Sequence, residues 1–124
     1  MERKDFKVIC EATSNITIKG QSVHFSFDRK ERFKAIERKI GSGDIVTEFV
    51  VDRSHKNGYE RHIIHSNGVV LMVNEHTKRV ITIIVARQPQ ITRYWEGLHR
   101  QIPRDLEYLL SVAKQNEMRG YNYL

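Results

Sequence analysis

GYERHIIHSNGVVLMVNEHTKRVITIIVAR, residues 58–87, holds two nearly continuous apolar runs, 69–73 and 80–86, on either side of a polar loop from Asn74 to Arg79. Asn67-Gly68 between apolar residues is a strong short-range hairpin signal, and it predicts a two-residue type I′ turn. The segment therefore reads as a three-stranded antiparallel meander over residues 59–86. Its middle strands are apolar at almost every position, which fits strands that are central or covered on both faces.

The turn type fixes a register. With Asn67 and Gly68 as the turn, Ser66 pairs with Val69, Ile64 with Leu71 and His62 with Val73. A four-residue second loop, 75–78, pairs Val73 with Val80 and Leu71 with Thr82. One face then carries Glu60, His62, Ser66 and Thr82, and is expected to be partly open. The greasier face, with Ile63, Val70, Met72, Ile81, Ile83 and Val85, is assigned to a helix. A bulge in the second loop would swap the faces of residues 80–86.

That helix lies upstream. From Asp28 to Gly41 the apolar period becomes helical, with Phe33, Ile36 and Ile40 on one stripe and basic residues filling much of the rest. Asp28 and Glu31 have the spacing of a capping box, and Gly41 supplies the helix stop. Residues 45–51 are β-branched enough for a strand, and 52–58 have turn chemistry. Short strands are expected at Phe6–Cys10 and around Ile16 and Ile18. After Pro89 the pattern is ambiguous. Pro103 then opens a C-terminal helix, 103–118, with Leu106, Leu109, Leu110 and Ala113 as its stripe, ended by Gly120. The tail from Tyr121 is frayed unless its aromatics dock. The expectation is one α+β domain over residues 1–124: an antiparallel sheet packed by the 28–41 helix, with a C-terminal helix.

Composition excludes other classes. The chain has 124 residues, 40% apolar and 29% charged, which is ordinary globular usage with no stretch able to span a bilayer. A lone cysteine, Cys10, forms no internal disulfide and sits in an apolar pattern, where an inert buried thiol is expected. The charged start does not resemble a signal peptide, so a cytoplasmic location is expected and the sequon at Asn15 goes unused. Four of the six histidines, His55, His62, His65 and His76, lie in the central third. A strand sends His62 and His65 to opposite faces and no Cys-x-x-Cys accompanies them, so no metal site is assigned. Nucleotide-loop and nucleophile-elbow motifs are absent, and no cofactor is implied.

The net charge of +6 is concentrated late. Between residues 76 and 104, Lys78, Arg79, Arg87, Arg93, Arg100 and Arg104 face Glu96 alone. Tyr94 and Trp95 interleave with them. Arginines beside aromatic rings grip phosphates and offer stacking surfaces to unpaired bases, so Lys78, Arg79, Arg87, Arg93, Trp95 and Arg100 are the candidate nucleic-acid contacts. Metal-free cleavage of RNA uses the substrate's 2′-OH as nucleophile and asks of the protein a group titrating near neutrality, a hydroxyl and cations. His62, Thr82, Arg61 or Arg87, and Tyr94 have the required chemistry.

The order of elements, helix, strand and then a meander ending in T-I-I-V-A-R, resembles the small metal-independent RNases of the barnase, EndoU, colicin and RelE group, including toxin-like forms carried by phages and mobile elements. VHFSFDRKERFKAIERKIGSGDIV, residues 23–46, resembles their leading helix and first strand, and residues 62–87 resemble their central strands. The likeness covers roughly residues 23–95. It departs from the S-x-H-A opening of some relatives, where this chain has His24-Phe25-Ser26-Phe27, and residues 96–124 have no counterpart. The resemblance implies a toxin-like endoribonuclease with His62, Thr82, Arg87 and Tyr94 as catalytic residues. RNA is the expected partner. The alternative is a non-enzymatic phage or mobile-element accessory protein that binds nucleic acid or a host protein, and a protein inhibitor would be a further partner of a toxin. No membrane partner is expected.

Overall fold

The computed structural model describes residues 13–18, 21–53, 58–98 and 103–121. The predicted strand at Phe6–Cys10, Cys10 itself, Arg100 and Asn122–Leu124 lie outside them. The elements run β1 (Thr13–Ile18), β2 (Gln21–Ser26), α1 (Phe27–Ile40), β3 (Ile45–Arg53), β4 (Gly58–His65), β5 (Val69–Asn74), β6 (Val80–Val85), α2 (Gln88–Leu98) and α3 (Pro103–Met118). β1 and β2 form a hairpin, and β3-β4-β5-β6 form an antiparallel sheet in chain order. The fold is α+β, as the sequence predicts, with β3 extending the meander to four strands.

The sheet is covered on both faces. Ile63, Val69, Leu71, Val73, Val80, Ile83 and Val85 pack against Ile36 and Phe33 of α1 and against Val23 and Phe25 of β2. On the other side, Ile64, Val70, Met72 and Ile81 pack against Ile91 of α2 and Leu109 and Ala113 of α3. Two cores explain why β5 and β6 have no polar alternation, since a strand between two apolar layers has no wet side. Tyr121 docks, partly buried, on the first core.

The helix cap differs from the predicted one. Ser26, not Asp28, is the N-cap: its Oγ accepts from Arg29 N at 3.1 Å, and Asp28 falls in the first turn. There its charge faces the positive end of the helix dipole. The ambiguous segment after β6 is helical. Gln90 Oε1 accepts from Arg87 N and Glu117 Oε2 of α3 accepts from Gln88 N at 2.7 Å, so side chains satisfy amides at the start of α2.

The decisive turn also differs. Gly68 N donates to His65 O and Gly68 has φ +89°, while Asn67 is not among the residues of positive φ. A type I′ turn needs positive φ at both central residues, so this is a three-residue loop, Ser66 to Gly68, with glycine in the left-handed position. The register shifts by one: His62 pairs with Met72, Ile63 with Leu71 and Ile64 with Val70. A second irregularity, between Met72 and Val73, leaves Ile81 as the extra residue while Val73 keeps its predicted partner Val80. The two shifts offset each other, and Thr82 remains on the face of His62.

Candidate nucleic-acid interface

That face is closed. Glu60 is 0% exposed, His62 2% and Thr82 5%, beneath the layer formed by α2 and α3. This overturns the expectation of an open side. The cause is the C-terminal third of the chain: α2 carries Tyr94 to β4, where its hydroxyl lies 3.1 Å from His62 Nδ1 and the two rings meet edge to face. His62 Nε2 lies 3.1 Å from Glu60 Oε1. The neutral tautomer with the proton on Nε2 satisfies both contacts, donating to the carboxylate and accepting from the tyrosine. The result is a buried polar chain, Glu60–His62–Tyr94, that ties α2 to the sheet.

Of the four predicted catalytic residues, the structure brings together only His62 and Tyr94. Thr82 sits two strands away, across Met72, which places it about 10 Å from His62 at normal strand spacing. Arg87 follows the end of β6 and is exposed. His62 is sealed from any polymer outside.

The predicted basic cluster divides. Lys78 and Arg79 immediately precede β6 and Arg87 follows its end, and eight residues of extended chain span up to about 26 Å. At the first end, Lys78 Nζ lies 3.4 Å from Glu75, and Arg79 is half-buried. Glu75 is also held by Arg61, with Nε to Oε1 at 2.7 Å and Nη2 to Oε2 at 2.6 Å, and Arg61 reaches Glu48 at 2.9 Å. These bonds from Arg61 hold the Glu75 carboxyl below the usual carboxylate range and raise the guanidinium in turn. Two cations thus balance two carboxylates, and Arg61 is taken up by that pairing.

At the other end, Arg87 and Arg93 are exposed and line an open groove of about 610 Å³ with Gln88, Pro89, Thr92, Leu110 and Glu117. Among the described lining residues Glu117 is the one carboxylate, and it accepts the Gln88 amide. The backbone of Trp95 continues α2, its side chain lies outside the described residues, and so does Arg100. Among the described residues no group of three or more His, Cys, Asp or Glu side chains could hold a metal ion, and no helix is long and apolar enough to cross a membrane.

Sequence reasoning passed over a second hollow, of about 470 Å³, lined by Gly58, Tyr59, Asn74, Glu75 and His76. The signal was present: in the observed register Tyr59 and Arg61 point away from Glu60 and His62, toward the α1 side of the sheet. No family model matches the chain, and neither a curated protein nor a solved structure proved similar to it.

Proposed function

We propose that this protein binds single-stranded RNA, gripping its backbone through Arg87 and Arg93, and that it does so without cleavage by His62. The observation that carries the reading is the pair of exposed guanidinium groups on one open groove where, among the described lining residues, the single carboxylate is engaged by a backbone amide. Arginine presents a planar fork of donors that suits phosphate oxygens, and the net charge of +6 draws a polyanion toward the surface. The buried state of His62 and the engagement of both its ring nitrogens favour the non-enzymatic alternative over the toxin-like ribonuclease.

The test is binding of a labelled RNA oligomer across a salt series. Each phosphate contact on a single strand contributes about 0.7 to the slope of log affinity against log salt. Replacing both residues, Arg87→Glu with Arg93→Glu, should lower that slope by about 1.4. A wild-type slope in the double variant refutes the assignment. In excess chelator the same RNA should remain full length with the wild-type protein, and shortening of the RNA would restore the ribonuclease reading.

A further inference from the structure

The hollow at the opposite end of the sheet differs from the groove in charge. Among the described residues, Arg61 and Lys78 beside it are matched by Glu48 and Glu75, so these four side chains add no net charge to its rim. It fits a flat ring. Tyr59 is 58% exposed although it stands on a strand inside a four-stranded sheet, and it lines the hollow. Gly58, with φ +84°, has open space where a Cβ would stand.

The opposite wall is held in place before any ligand arrives. Asn74 Oδ1 accepts from His76 N at 2.9 Å and from Thr77 N at 2.8 Å, Lys78 N donates to Asn74 O, and Glu75 N donates to Tyr59 O. Lys78 takes φ +62°, the one non-glycine residue of positive φ among those described, and strain of this kind concentrates at working surfaces. The Glu75 carboxylate is fixed by the Arg61 fork and remains 28% exposed. A carboxylate offers about four acceptor positions, and among the described residues Arg61 and Lys78 supply three donors, which leaves one position for an amino or ring N–H of a base.

We infer that this hollow is a nucleobase subsite, in which one unpaired base of the bound strand stacks on Tyr59 and is bordered by His76 and the Glu75 carboxylate. The inference rests on the RNA reading and adds to it: Arg87 and Arg93 contact phosphates at one end of the sheet, and Tyr59 contacts a base at the other. Every base has a π-face, so stacking gives contact without sequence choice. The volume lies within the range of small-ligand pockets.

Two labelled twelve-nucleotide oligomers separate the terms, oligo(A) and an abasic ribose-phosphate strand with the same number of phosphates. Wild type should bind oligo(A) more tightly. Tyr59→Leu should weaken oligo(A) binding about 5- to 150-fold, the range for loss of one stacked base, and leave abasic binding and the salt slope unchanged. Tyr59→Phe keeps the ring and should bind like wild type. Equal wild-type affinity for the two strands overturns the subsite, as does a silent Tyr59→Leu or a loss that falls equally on both strands. Those results leave the phosphate reading standing. Failure of wild type to bind either strand refutes the RNA reading, and the subsite with it.

Discussion

Substituting Gly68 by alanine tests the turn on which the sheet register depends. Gly68 has φ +89°, and a Cβ there would lie 2.7 Å from Asn116 Nδ2, well inside contact distance. The left-handed backbone costs an alanine about 1–2 kcal/mol. Asn116 must also retreat. It is 5% exposed and donates to Asn67 O at 3.0 Å, and a buried polar group left without its partner costs about 1–3 kcal/mol. We expect Gly68→Ala to destabilise by about 3 kcal/mol in total. At roughly 2.1 cal/mol/K per residue of unfolding entropy, 124 residues give about 0.26 kcal/mol per degree, so Tm should fall by about 12 °C. Gly41 supplies the control. Its φ is +87° and its ψ 171°, a glycine-only conformation, yet nothing lies within 4 Å of its would-be Cβ, so Gly41→Ala bears only a backbone cost of about 1–3 kcal/mol and should lower Tm by about 4–12 °C. Thermal melts of both variants, and of Gly68→Ala in an Asn116→Ala background, isolate the contact. In that background the cost of Gly68→Ala should drop to the left-handed backbone cost alone, about 1–2 kcal/mol. An undiminished cost of Gly68→Ala without Asn116 would refute the proposed close approach of α3 to the turn.

Tyr94→Phe removes the hydroxyl at His62 Nδ1 and should cost about 1–2 kcal/mol. Urea unfolding with an unchanged m-value would register this, and a neutral variant would show that the buried chain does not hold α2. Burial keeps His65 below its ordinary pKa of 6.5, against the opposing pull of the Val69 carbonyl and Glu37. The unfolded chain therefore protonates first, so this contribution is fully present above pH 6.5 and declines as the pH falls toward the folded-state value. Melts from pH 7.5 to 5.5 should show that decline, and His65→Gln should flatten it; parallel profiles would remove His65 as the cause.

The elements of this fold were more legible than their register. The stripe of Phe33, Ile36 and Ile40 identifies α1 without help from the rest of the chain, because a 3.6-residue period is a local property. The position of its cap is less local: Ser26 and Asp28 are both good N-cap residues, and Ser26 takes the role where β2 ends. Asn67-Gly68 marks a hairpin unambiguously but fits two loop lengths. The outcome was decided at a distance, since Asn67 is held through Gly41 O, 26 residues away, and Asn116, 49 residues away. No window around the turn contains those partners. The helix after Pro89 was hidden for a similar reason, as one of its first amides is satisfied by Glu117 from α3.

The same two runs bear on the candidate site. Val69 to Val73 and Val80 to Val85 are apolar on both parities, interrupted only by Thr82, and such strands require a layer on each side. A sheet built around them cannot leave its centre wet. A polar residue of β4 that falls beneath a layer must then be buried and paired, as Glu60 and His62 are, whatever chemistry its side chain could perform in water. Among the described residues the two hollows lie at the ends of the sheet, away from its covered centre. Arg87 and Arg93 occupy one margin, beyond the end of β6. Tyr59 and His76 occupy the other, where β4 starts and β5 gives way to its loop. The two apolar runs already argued against an open histidine face, and taking them at full weight directs the search to the two ends of the sheet.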